Sequence, residues 1–107
     1  MTTGKWVSVA AMSEFSAGRA CVLAGDAFDI AVFLSPDGRY FAIEDRCPHR
    51  GAPLSQGVMY EPDLVACLDH GWGICLVDGQ VEAPNRGCAR VFSVRVEAGE
   101  VQVLIES

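Results

Sequence analysis

Along most of this chain apolar and polar residues alternate, and turn-forming residues interrupt the alternation about every ten positions. Side chains of a strand point to opposite faces in turn, so the pattern predicts an all-β protein, an antiparallel barrel or sandwich. A first strand is expected over 6–10, starting at Trp6. A polar connection through Ser13, Ser16 and Gly18 follows, with one turn of helix around Met12, Glu14 and Phe15. A second strand over 20–24 ends at Gly25-Asp26. Strands over 29–34 and 39–45 flank Ser35-Pro36-Asp37-Gly38, in which proline presets the turn and glycine accepts positive φ. Further on, a turn at Glu61-Pro62-Asp63 precedes a short strand over 64–66. Strands over 74–77 and 80–82 surround the hairpin signal Asp78-Gly79. After a loop over 83–87, strands over 91–97 and 101–106 form a last hairpin around Ala98-Gly99. Phe92, Val94 and Val96 share one face, as do Val101, Val103 and Ile105, and these are read as core.

The 107 residues suit one domain, residues 1–107, and no internal repeat, low-complexity tract or linker divides them. No apolar run approaches the roughly 20 residues of a membrane helix, and no secretory leader opens the chain, so a cytoplasmic protein is expected. Eight basic against fourteen acidic residues leave a net charge of −6. That balance argues against nucleic acid and for approach to a basic patch on another protein.

Two short stretches stand apart from the alternation: Cys47-Pro48-His49-Arg50-Gly51 and Cys67-Leu68-Asp69-His70-Gly71. Both histidines of the chain lie here, each paired with a cysteine in the same order and each followed within two residues by glycine. Two thiolates and two imidazoles suit either tetrahedral zinc or a two-iron cluster in which histidines replace cysteines on one iron. A structural zinc module usually takes Cys–Cys and His–His pairs, so mixed Cys/His pairs fit the two-iron cluster better. Each loop can then place its cysteine on one iron and its histidine on the other, while Gly51, Gly71 and Gly73 let backbone amides come close to sulfur. A Cys/His nucleophile would leave the second pair unexplained, and no glycine-rich phosphate loop is present. Asp45, Asp63 and Asp69 read as solvated loop charges. The remaining cysteines, Cys21, Cys75 and Cys88, sit in apolar segments as small buried hydrophobes, their odd number suiting a reducing compartment.

The stretch from Cys47 to Gly57, together with Cys67-Leu68-Asp69-His70-Gly71-Trp72, resembles a Rieske [2Fe–2S] domain. The resemblance implies a Rieske-type [2Fe–2S] cluster held by Cys47, His49, Cys67 and His70, in a cluster-binding subdomain of two loops over about 46–86. It also implies an electron-transfer role without a substrate pocket, with the histidines as the electron's exit and Arg46 and Arg50 beside them. Trp72 is expected to shield the cluster. Leu68 and Asp69 depart from the family pattern, which usually has proline after the second cysteine and a neutral residue before the histidine. High-potential members carry an extra cysteine in each loop and a serine after the second His-Gly. Here those positions are Ala52, Asp69 and Trp72, so a potential toward the lower end of the Rieske range is expected.

Downstream, Asp78-Gly79-Gln80 and the segment from Gly87-Cys88 to Glu97 resemble the small subunit of assimilatory NAD(P)H nitrite reductase. That resemblance implies a partner, a large flavin- and sirohaem-containing subunit that reduces nitrite to ammonia in nitrate assimilation. The alternative is a free-standing ferredoxin working with oxygenase and reductase components, and a structural zinc module is the third reading.

Overall fold

A computed structural model describes residues 4–25, 27–48, 51–68, 71–82 and 86–106. Among them ten strands form three antiparallel sheets, and the only helical elements are two short 3₁₀ turns. The strands are β1 (Gly4–Ala11), β2 (Ala20–Leu23), β3 (Ile30–Leu34), β4 (Tyr40–Glu44), β5 (Val58–Glu61), β6 (Leu64–Ala66), β7 (Gly73–Cys75), β8 (Val91–Phe92), β9 (Val94–Glu97) and β10 (Glu100–Glu106). Sheet A runs β1-β10-β9, sheet B runs β2-β3-β4-β8, and sheet C runs β5-β6-β7. No helix of the described residues is long and apolar enough to cross a membrane.

Sheet B is the middle layer, and its sequence says why. Both faces of β3 are covered, so Ile30-Ala31-Val32-Phe33 is an unbroken apolar run with every residue buried. The strand's alternation then divides that run between two cores. Ala31 and Phe33 join Ile43, Leu54, Val65, Ile74 and Leu76 on the side of sheet C. Ile30 and Val32 join Ala42, Phe15, Val101 and Val103 on the side of sheet A. The β3–β4 turn follows from its residues: the Ser35 N–H donates to the Arg39 carbonyl at 2.8 Å and the Gly38 N–H to the Ser35 carbonyl at 3.0 Å. The nearly fully buried Ser35 hydroxyl accepts from the Arg39 N–H and donates to Asp37, so its burial carries no unmet hydrogen bond.

Four expectations about the strands need correction. The alternating run 91–97 is two strands, because at Ser93 the chain leaves β4 of sheet B and joins β10 of sheet A. Val96, placed in the core from its spacing, is 42% exposed on the edge strand β9, although Val101 and Val103 are fully buried. The strand expected over 74–77 stops at Cys75, leaving Val77 exposed in a turn. The strand over 80–82 reduces to isolated bridges, Ile74 to Val81 and Gln80 to Cys88.

Candidate metal centre

Two loops carry the cysteines, and they reach their places differently. The first leaves the end of β4 and runs to a 3₁₀ turn, Leu54–Gln56, whereas the second joins the paired strands β6 and β7. Their backbones nevertheless share one frame. The Cys47 N–H donates to the Ala52 carbonyl at 2.7 Å and the Gly51 N–H returns to the Cys47 carbonyl at 2.8 Å. In the second loop the Cys67 N–H donates to the Trp72 carbonyl at 2.8 Å and the Gly71 N–H to the Cys67 carbonyl at 2.9 Å. Each loop thus closes on a glycine four residues after its cysteine. Gly51 has φ of 80° and Gly71 of 68°, a left-handed conformation that a Cβ disfavours. The histidine offset differs between the loops, but the glycine offset does not, which brings the two sequence patterns into one geometry.

Both thiols lie inside. Cys47 and Cys67 are each 1% exposed and belong to the same core cluster, with Leu54, Val65 and Ile74 around them. No disulfide joins them. His49, Arg50, Asp69 and His70 lie outside the described residues, and among the described residues no three metal-binding side chains come together. Of the proposed donor set, the two sulfurs are the part that falls on described residues. Two soft donors, buried on matching loops in one apolar cluster, fit the cysteine side of a two-iron cluster. Trp72 is half-buried and packs on that same cluster.

Neighbouring side chains hold these loops. The Asp45 carboxylate accepts from the Ser55 N–H at 2.6 Å and from the Ser55 hydroxyl at 2.7 Å, so Asp45 is not the solvated charge expected of it. Its role was hidden because the partner lies ten residues away, across a loop that periodicity does not describe. Beside the second loop the Tyr60 hydroxyl donates to Glu82, and the Glu82 N–H donates to the Gly73 carbonyl at 2.8 Å. Desolvation first, then the bond to Glu82 and the charges of Glu82 and Glu61, push the Tyr60 phenol up to about 12. Arg46 is exposed and lies alongside Gly51. Cys21 and Cys75 are half-buried and Cys88 is exposed, so none of the three is the fully buried hydrophobe expected. Cys88 sits at a sheet margin, where the Gln80 amide reaches its sulfur at 3.5 Å.

Residues 5–98 match the Rieske [2Fe-2S] domain. The chain belongs to the Rieske [2Fe–2S] family. Its cofactor is accordingly a Rieske-type [2Fe–2S] cluster, and the structural zinc module gives way to that assignment. The chain is 34% identical to the biphenyl dioxygenase ferredoxin subunit of Pseudomonas sp. (strain KKS102) over 105 residues, covering 96% of this chain and 92% of that one. Among solved structures, a chain from the complex of reduced oxygenase and oxidised ferredoxin in carbazole 1,9a-dioxygenase superposes with a TM-score of 0.82 at 31% identity, covering 91% of this chain and 99% of that one. A chain provisionally described as the NADH-dependent nitrite reductase small subunit of Mycobacterium tuberculosis superposes with a TM-score of 0.88 at 23% identity, covering 98% of both chains. That last likeness is one of fold. As a member of this family the chain carries a Rieske electron-transfer domain.

Proposed function

We propose that this protein is a free-standing Rieske ferredoxin that passes single electrons to the oxygenase component of a multicomponent oxygenase. The observation that carries the reading is the 34% identity with a dioxygenase ferredoxin subunit, sustained over nearly the full length of both chains. In this reading Cys47 and Cys67 hold one iron while His49 and His70 hold the other. The bound cluster supplies one-electron redox chemistry and takes no substrate. The chain's own part is to keep both thiols dry, to close each loop on its glycine, and to present the histidine side to a partner. Half-buried and exposed cysteines without disulfides suit a reducing cytoplasm.

The second reading is the small subunit of assimilatory NAD(P)H nitrite reductase, favoured by the segment from Gly87 to Glu97 and paired with a flavin- and sirohaem-containing large subunit. One experiment separates the two. The cluster-loaded protein is mixed with an aromatic-ring oxygenase and its NADH-dependent reductase, and in parallel with a sirohaem nitrite reductase large subunit and NAD(P)H. Hydroxylated product in the first mixture and unchanged nitrite in the second support the ferredoxin. Nitrite loss dependent on this chain, with no oxygenase turnover, gives the case to the nitrite reductase subunit. Cys47→Ser, which removes one iron ligand, should abolish either activity.

A further inference from the structure

The two cysteine loops share a frame but not an anchorage. The second loop springs from β6 and β7, whose ladder pairs Ala66 with Gly73, so the sheet itself holds its two ends together. The first loop has no such ladder, because β4 leads in and a 3₁₀ turn leads out. Its entry is nonetheless a fixed post: the Asp45 N–H donates to the Asp29 carbonyl at 2.8 Å, and the Glu44 N–H donates to the Arg90 carbonyl at 2.7 Å. Its exit is fixed by Leu54, which is fully buried. Besides the backbone bond from Cys47 to Ala52, the Asp45 carboxylate is the side-chain link from post to exit among the described residues, through its two bonds from Ser55. Ser55 lies in the first turn of a 3₁₀ element whose capping position is Pro53, with no side-chain acceptor of its own, so Asp45 also caps that turn from across the loop.

We propose that Asp45 and Ser55 form the positioning clamp of the first ligand loop, doing with one carboxylate what the strand ladder does for the second. The inference rests on the reading of Cys47 as a cluster ligand. A charge-assisted pair with both donors on one residue is stronger than a neutral turn bond. Its loss frees the loop that carries Cys47 without removing any core side chain. The cluster then leaves more readily from the side of the first loop, at a temperature where the protein stays folded.

The test uses the cluster-loaded protein, an iron chelator, and visible absorbance followed well below the unfolding temperature. Asp45→Ala should lose its cluster roughly tenfold or more faster than wild type, the scale of a hydrogen bond to a charged group. Ser55→Ala keeps the amide bond and should fall between the two, and Ser55→Thr, which restores the hydroxyl, should return close to wild type. Asp45→Ala/Ser55→Ala should be no worse than Asp45→Ala alone, because both remove one interaction. The EPR spectrum of reduced Asp45→Ala should shift as well. Val103→Ala, in the other core, should lower the unfolding temperature and leave the chelation rate at the wild-type value. Should Asp45→Ala fail to fold, the ranking of Ser55→Ala and Ser55→Thr decides. Wild-type chelation rates in the Asp45 or Ser55 variants, or additive effects in the pair, overturn the clamp. A Cys47→Ser protein that keeps the native spectrum overturns the ligand reading beneath it, which separates the two failures.

Discussion

Truncating Leu54 tests whether the core beneath the loops and the metal centre are one structure. Leu54 is fully buried and packs in the cluster that contains both Cys47 and Cys67. Leu54→Ala removes its isobutyl contacts at a site clamped on one side by Ser55 and Asp45, which limits how far the chain can close the gap. A buried leucine truncation costs about 2–5 kcal/mol, and the restrained position suggests roughly 3 kcal/mol. For a chain of this size that lowers the midpoint of thermal unfolding by about 12–15 °C. Val103→Ala, equally buried but in the other cluster, removes fewer carbons and should cost about 2 kcal/mol. The assay follows each variant by far-ultraviolet circular dichroism and by the cluster's visible absorbance in the same heating scan. In Val103→Ala the two signals should fall together. In Leu54→Ala the visible signal should fall first, because the void lies in the cluster that holds both thiols. Coincident transitions in Leu54→Ala, or an unfolding midpoint within a few degrees of wild type, would refute the reasoning.

Other outcomes follow from single residues. The phenol of Tyr60 titrates near 12 in the folded protein against about 10 when unfolded, so its contribution is complete below pH 10 and disappears as pH rises through 12. Urea unfolding over that interval should show a falling stability that Tyr60→Phe flattens. Hydrogen bonds from Arg39 and then Ser35 hold the Asp37 carboxyl down at about 2, so its contribution is present above about pH 4 and is lost as pH falls through 2. Asp37→Asn should remove that part of the acid slope. At Gly71 a Cβ would meet nothing within 4 Å, so Gly71→Ala should cost only its backbone conformation, roughly 1–2 kcal/mol in equilibrium unfolding. A redox titration should place the midpoint below about +100 mV, since Trp72 stands where high-potential members carry a serine.

The fold class was legible because β10 alternates, with Val101, Val103 and Ile105 on one face, and because a proline–glycine turn joins the short apolar runs of β3 and β4. The limits of that legibility are physical too. Period two records which face a residue takes but not which sheet it joins, so the passage from β8 to β9 at Ser93 left no trace in the spacing. Val96 was misplaced for the same reason, since alternation cannot tell an edge strand from a central one. The cysteine pairs were legible as chemistry, and the structure adds that their loops are superposable in hydrogen bonding. That frame alone does not make a ligand. Cys75 and Gly79 close the next turn with the same pair of bonds, at 2.9 Å to the Gln80 carbonyl and 2.7 Å back to Cys75, and no metal is assigned there. A histidine between cysteine and glycine, present in the first two turns and absent from the third, distinguishes them. Asp45 was read as a solvated charge because a carboxylate bonded across a loop looks, in one dimension, like any polar residue before a turn.

The strand change at Ser93 bears on which insertions the chain could accept. An exposed residue between two short strands is ordinarily where extra residues are harmless. Here one residue is the whole tether between the strand that closes sheet B and the edge strand of sheet A, and its carbonyl still accepts from the Leu104 N–H at 3.0 Å. β8 pairs with Ala42 and Ile43, and β4 continues directly into the Cys47 loop. Slack introduced at Ser93 would let one sheet peel while the other stays closed, turning a cooperative molecule into two loosely hinged halves. Ser93, although exposed, is therefore a poor position for lengthening, and a tag or loop graft belongs at Ala98-Gly99 instead.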